Sequence, residues 1–475
     1  MTARFVGLAL AAVSSLAGAA ASVPENNERL AFDIFKQLIE INTTDSVGSV
    51  SQASEALRQR LLKAGFESKD VAVVGPSERK KNLVVRLHGT GLKRPVLILG
   101  HLDVVEAPRA DWTTDPFELV EKDGYFYGRG TQDLKSGDAI AVASLIRLLQ
   151  EGFKPDRDVI LALTAGQESF KDNGTKWLIE QRRDLIDAEF VLNMDGAGVL
   201  ADHGRPTTVR VDAAEKLYAD FRLTVVKPGG TTALPVSDNA IYHLAQGLAR
   251  LEHYRFPAEL NVVTRAYFSR LAESDDGPKS ADLRGLLADP SDSTATVRIS
   301  RDAINDALLH TICAPTRLEA GHANNALPQM ASAMVNCRIL PGHSAEEIRT
   351  TLVDVLSDSQ IEVAYVREFD GRVFARAPDE VAMAVAPLRP DVVRPLERVA
   401  AALWPAVPVI PGMSIGESDA VWTAAAGMPT YAVSGLAIDR DDIRSHGRDE
   451  RLPVASFYKG LEFFYQYIRA LTTSP

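Results

Sequence analysis

The run LILGHLDVV, Leu97 to Val105, constrains this chain more than any other stretch. Leu97, Ile98 and Leu99 are continuously apolar, as expected of a strand buried on both faces of an α/β sheet. The run then meets Gly100, His101, Leu102 and Asp103. An imidazole at the carboxyl end of a parallel strand stands where open α/β sheets place their sites. Asp103, two residues on, is placed to orient His101 and fix its tautomer, as carboxylates do behind metal-bound imidazoles. His-x-Asp alone is a weak motif and also fits a strand-end histidine beside an unrelated turn aspartate.

Four further residues strengthen the functional reading. GRGTQDLKSG places Asp133 in a glycine-rich turn ahead of a helical stretch from Asp138 to Leu149. LALTAGQES is a second buried strand with Glu168 at its end, and VLNMDGAG a third ending in Asp195. Far downstream, IRSHGRDER supplies His446. Each carboxylate taken singly fits a cap or a turn. Together, two imidazoles and three carboxylates, each where apolar sequence stops, have the composition of a two-metal site with one bridging carboxylate. A set of His, Asp and Glu without Cys suits zinc, cobalt or manganese.

The bulk numbers set bounds. A chain of 475 residues has room for two or three domains, and 46% hydrophobic content supplies a large core. A formal net charge of -11 argues against nucleic-acid binding through phosphate contacts. At the N-terminus, Arg4 precedes an apolar run from Phe5 to Leu16 and then Ala17, Gly18, Ala19, Ala20 and Ala21. This pattern predicts a signal peptide over 1–21 and an exported protein, periplasmic or extracellular. The run is too short for a confident membrane anchor, and no later segment has spanning length. Cys313 and Cys337 sit in strand-like runs, so a disulfide and two buried thiols are both open.

Taken in order, Glu28 to Ile39 and Ser51 to Ala64 carry helical apolar spacing, the second stopped by Gly65. Strands at Asn82–His88 and Pro95–Gly100 follow, and strands and helices alternate to about Val199, the pattern of a mostly parallel sheet with helices on both faces. Near Ala213 the pattern changes to a β-α-β-β-α-β, ferredoxin-like α+β unit. Its first helix lies in DNAIYHLAQGLARL with Asp238 as expected N-cap, and its second in SAEEIRTTLVDVL, with Ser344 capping and Glu347 closing a capping box. The SDDGPKS and DPSDS clusters between 257 and 303 read as loops. After about Asp370 the α/β alternation resumes and ends in an amphipathic helix. The expected organisation is a catalytic domain in two parts, 22–212 and 371–475, split by an inserted domain at 213–370.

With these motifs in place, the chain resembles the co-catalytic zinc amidohydrolases and exopeptidases typified by glutamate carboxypeptidase, aminoacylase, carnosine dipeptidase, acetylornithine deacetylase and succinyl-diaminopimelate desuccinylase. The resemblance rests on HLDVV, GRGTQDLKSG, ALTAGQES, NMDGAG, the PGG near the start of the inserted unit, HANNALP, NCRILPG and SHGRDERL. It implies an α/β di-metal peptidase domain split by a lid or dimerisation domain, two zinc ions and a small amide or dipeptide substrate. It implies that His101 and Asp195 bind one ion, Glu168 and His446 the other, and Asp133 bridges, with Asp103 behind His101. Asn325 and Arg338 match positions that face the substrate, and Gly416, Ser418 and Asp419 match a loop lining the pocket. A homodimer through the inserted domain is a further implication.

Two departures bear on activity. The family strand ends Asp-Glu-Glu, the first Glu acting as general base; here the matching residues are Gly166, Gln167 and Glu168. An amide at Gln167 cannot accept the proton of the attacking water. The family's Gly-Gly-His, whose His stabilises the oxyanion, becomes Gly229, Gly230 and Thr231, a weaker neutral donor. The expectation is a metal-dependent amide hydrolase with altered or reduced catalysis, against the alternative of a metal-containing binding protein of the same fold.

Overall fold

A computed structural model of the protein describes residues 25–473 except 197, 234–237, 274–276, 292, 369 and 380–383. The expected signal peptide lies outside the described residues. Among those residues, no helix is long and apolar enough to cross a membrane.

The large sheet has ten strands. Its order is Val71–Val74, Asn82–Leu87, Val159–Thr164, Val96–His101, Phe190–Asn193, Thr430–Ala432, Arg205–Glu215, Val199–Asp202 and Ala437–Asp439, with Val409–Ser414 also pairing Arg205–Glu215. Val159–Thr164, Val96–His101, Phe190–Asn193 and Thr430–Ala432 run parallel, neighbour to neighbour. Asn82–Leu87 and Val96–His101 follow each other in sequence but do not pair; Val159–Thr164 lies between them, antiparallel to the first and parallel to the second.

Val96–His101 shows why the strand needs its apolar run. Val96 and Ile98 join one core beneath helices Glu25–Glu40 and Lys135–Gln150, while Leu97 and Leu99 join a second core with Leu178 and Ile186. Both faces are covered, so every side chain is dry, and each large one contributes roughly 1.5–3 kcal/mol of burial.

Leu217–Val226, Ile312–Ala320, Met330–Ile339, Glu362–Val366 and Val373–Phe374 form a separate antiparallel sheet. Its first four strands have the order and direction expected of a ferredoxin-like unit. Helices Ala240–His253 and Ala345–Leu356 share a core of their own with Phe221, Leu223 and Val335. Tyr218, Asp220, Asn336 and Arg338 alternate with these buried residues and occupy the other face.

The capping box of Ser344 and Glu347 is present. The expected cap at Asp238 is not: Asn239 caps the Ala240–His253 helix by accepting from the Ile241 N–H, and Asp238 pairs instead with Lys227 and His243. Asn239 stands immediately before the first helical residue and so holds the cap, while the Asp238 carboxylate is engaged by Lys227 and His243. Cys313 and Cys337 face each other in register across neighbouring strands and form a disulfide.

The section between the two halves of the small sheet holds helices Val262–Glu273, Pro278–Ala288, Ser293–Ile299 and Ala303–Leu309. Val263, Phe268, Leu283, Leu286 and Leu308 belong to the core of the large sheet. The chain between 213 and 370 therefore visits both cores.

Candidate metal centre

Three parallel neighbours place three candidate ligands side by side. His101 ends Val96–His101, Glu168 lies in the turn after Val159–Thr164, and Asp195 follows Phe190–Asn193. Asp133 enters from the turn before helix Lys135–Gln150, and His446 from the loop before Arg451–Pro453. Two overlapping groups result. His101, Asp133 and Asp195 bring ligand atoms within 4.8 Å of one another, and so do Asp133, Glu168 and His446.

Asp133 belongs to both groups. Its Oδ1 lies 3.1 Å from His101 Nε2 and its Oδ2 3.1 Å from His446 Nε2, so the two oxygens serve different partners as a bridging carboxylate's do. Glu168 Oε2 is 3.1 Å from His446 Nε2, while its Oε1 is buried without a hydrogen-bond partner. A buried carboxylate oxygen with no donor is costly unless a cation supplies the missing partner.

The charges say the same. Burial alone would lower His101, yet the hydrogen bond and charge of Asp133, then Asp195 and Asp103, hold it well above its ordinary value. Hydrogen bonds to Asp133 and Glu168 push His446 up to about 10. Burial pushes Asp195 up to about 7, reinforced by the charge of Asp133. This much negative charge in one dry place calls for positive charge, and the all-nitrogen-and-oxygen donor set fits divalent metal.

Asp103 supports His101 by a route other than the one expected. Its backbone carbonyl lies 3.0 Å from His101 Nδ1, while the nearer carboxylate oxygen is 3.9 Å away. The carboxylate accepts from the backbone N–H groups of Gln167 at 3.2 Å and Glu168 at 3.0 Å. Asp103 thus fixes one imidazole with its main chain and the Glu168 turn with its side chain.

The expected pocket residues divide. Ser418 is buried, with its hydroxyl donating to Glu215 Oε2 at 2.8 Å and accepting from Asn193 at 2.9 Å, so it braces rather than lines the site. Asp419 accepts from Thr164, Asn173 and Thr175 and pins the start of the helix after the Glu168 turn. The Gly416 N–H donates to Ser414 Oγ. Arg338 lies over the Tyr218 ring at 4.6 Å. Thr231 and Asn325 are exposed on a two-stranded ribbon formed by Gly230–Thr231 and Ala326–Leu327. Among the described residues, no hydrogen bond or ion pair joins Thr231, Asn325 or Arg338 to the five ligands.

Sequence reasoning missed Glu450. It is fully buried, and its Oε1 accepts from the N–H groups of Gln132 at 2.6 Å and Asp133 at 3.0 Å. Its presence four residues after His446, in a polar run leading to a strand, carries no periodic signal; only the fold brings it under the Asp133 turn.

Residues 97–470 match the family model for peptidase family M20/M25/M40, a span that contains all five ligands. The chain belongs to this family. Amide-bond hydrolysis is the activity that M20/M25/M40 membership supports. The chain is 27% identical over 381 residues to the Xenopus tropicalis N-fatty-acyl-amino acid synthase/hydrolase PM20D1, covering 79% of this chain and 72% of that one. In fold it is similar to the M20 metallo-carboxypeptidase Sso-CP2 from Sulfolobus solfataricus, with a TM-score of 0.70, 16% identity, and 93% and 99% of the two chains covered. It is also similar to the Bacillus subtilis YXEP protein, described as a dinuclear metal-binding peptidase, with a TM-score of 0.57, 12% identity, and 94% and 99% covered.

Proposed function

We propose that the protein is an exported, two-metal hydrolase of amide bonds in small N-acyl amino acids or dipeptides, slowed by the residues at 167 and 231. The observation that carries this reading is Asp133, whose oxygens each lie 3.1 Å from a different imidazole. His101 and Asp195 would hold one ion, Glu168 and His446 the other, with Asp133 shared between them; zinc suits this donor set. When bound, such ions lower the pKa of water and polarise the scissile carbonyl.

The chain's own residues do the rest. Arg338 offers a planar fork for a substrate carboxylate, a group that N-acyl amino acids and dipeptides share. The named activity of the Xenopus relative concerns acyl amino acids and favours the same substrate class. Gln167 is buried, with its N–H tied to Asp103, and stands at the base position. Its amide takes no proton from the attacking water, and loss of a positioned base costs about 10²–10⁴-fold. Thr231 offers a neutral hydroxyl to the oxyanion, where a lost donor costs about 10²–10³-fold.

The same proposal includes the inserted unit with outer limits 213 and 370, serving as lid and homodimer surface. The exposed edge strand Ile312–Ala320 supports the dimer, because nine residues of unpaired edge invite a second strand. The apolar run at 5–16 and the Cys313–Cys337 bond both suit an oxidising compartment, periplasmic or extracellular.

Gln167 also favours a second reading, a binding protein that holds metal and ligand without turnover. Elemental analysis of purified protein with a turnover panel of N-acyl amino acids and dipeptides separates the two, using Glu168→Ala as the control. Two ions per chain with turnover lost in the control supports the hydrolase. Two ions and ligand binding without turnover supports the binding protein.

A further inference from the structure

Gln132 precedes the bridging aspartate, yet its side chain serves a loop from the other end of the chain. The amide nitrogen donates to the backbone carbonyls of Asp442 at 3.0 Å and Arg451 at 2.8 Å. The amide oxygen accepts from the N–H groups of Arg444 at 2.8 Å and Ser445 at 3.1 Å. Both donors and both acceptor positions are thus used by the segment from Asp442 to Arg451, which carries His446.

That loop needs outside support. His446 has φ +63°, a conformation that side chains other than glycine adopt at a cost, and its side chain is 57% exposed. Its own packing does not fix the imidazole. The opposite direction is also tied: Glu450 accepts from Gly130, Gln132 and Asp133, and Arg129 pairs with Glu450 and donates to the Gly447 carbonyl at 2.9 Å. The Asp133 turn and the His446 loop therefore hold each other, and Gln132 is the member that grips the residues just before His446.

We infer that Gln132 is a positioning residue for His446, so that the metal position of Glu168 and His446 depends on it and the position of His101 and Asp195 does not. The inference rests on the two-metal reading above. Removing a group that orients a metal ligand weakens binding by about 10–100-fold.

The test is calorimetric titration of zinc into the chelated full chain. The parent is expected to bind in two steps, and His446→Ala identifies the step that belongs to the Glu168 and His446 position. Gln132→Met keeps the length and loses all four hydrogen bonds; it is expected to weaken that step about 10–100-fold and leave the other unchanged. Circular dichroism of the zinc-free variant reports its fold. Gln132→Asn, one methylene short, reads the same step if Gln132→Met does not fold. Two steps at parental strength, or both weakened in parallel, overturn the inference while leaving the two-metal reading intact. A parent binding fewer than two ions overturns both.

Discussion

His446 Nε2 lies 3.1 Å from Glu168 Oε2, although the two residues come from opposite sides of the inserted sheet in sequence. Glu168 is fixed by its place after a central parallel strand and by the Asp103 carboxylate on its N–H. His446 arrives only when the last part of the chain closes on the first. The candidate metal position of Glu168 and His446 therefore needs residues from both ends of the chain.

Glu168→Ala should remove one ion and spare the other. Glu168 Oε1 makes no hydrogen bond, so the substitution breaks few contacts besides those toward His446 and metal. Elemental analysis after reconstitution should give one ion per chain where the parent gives two. Two tightly held ions in the variant would remove Glu168 from the ligand set.

Metal affinity should rise with pH. Hydrogen bonds to Asp133 and Glu168 hold His446 up at about 10, so its imidazole carries a proton near neutrality before metal binds, and Asp133 raises His101 in the same direction. Binding needs both imidazoles neutral and releases the proton. Zinc affinity should climb as pH rises toward about 10, with proton release seen as a buffer-dependent heat. In chelated protein the sign for stability is opposite. The His446 pairs stabilise fully below 6.5 and are lost as pH rises through about 10. A pH-independent zinc affinity would contradict this.

Reduction of the Cys313–Cys337 bond should destabilise the ferredoxin-like sheet. The cysteines are 24 residues apart, and closing a loop of that size is worth about 3 kcal/mol in the chain-entropy account. A reductant, or Cys313→Ala with Cys337→Ala, should lower the denaturant midpoint of this unit. The metal ligands lie outside that sheet and should keep their ions.

The parallel strands and their candidate ligands were legible because continuous apolar runs give way at or shortly before His101, Glu168 and Asp195, a pattern set by burial on both faces. The ferredoxin-like unit was legible from alternating strands and the Ser344 capping box. Other features depend on three-dimensional closure. Ser418 matched a pocket-lining position, but its hydroxyl is taken by Glu215 and Asn193, from distant strands. The Asp103 carboxylate turns to the Glu168 backbone, since two N–H donors there outcompete an imidazole already served by a carbonyl. The helices from 262 to 309 pack on the large sheet through residues whose partners cannot be read from spacing alone.

The most direct test is the turnover of Gln167→Glu. Glu has nearly the shape of Gln and restores a carboxylate at the base position, with Gln167 buried and its backbone already fixed by Asp103. In this variant kcat on simple N-acyl amino acids should rise about ten-fold or more, at unchanged metal content. Thr231→His is the companion substitution, because base and oxyanion donor act in one step and their effects do not add. Single and double variants that stay inactive on a broad panel with both ions bound, or a parent already fast and slowed by Gln167→Glu, would contradict the account.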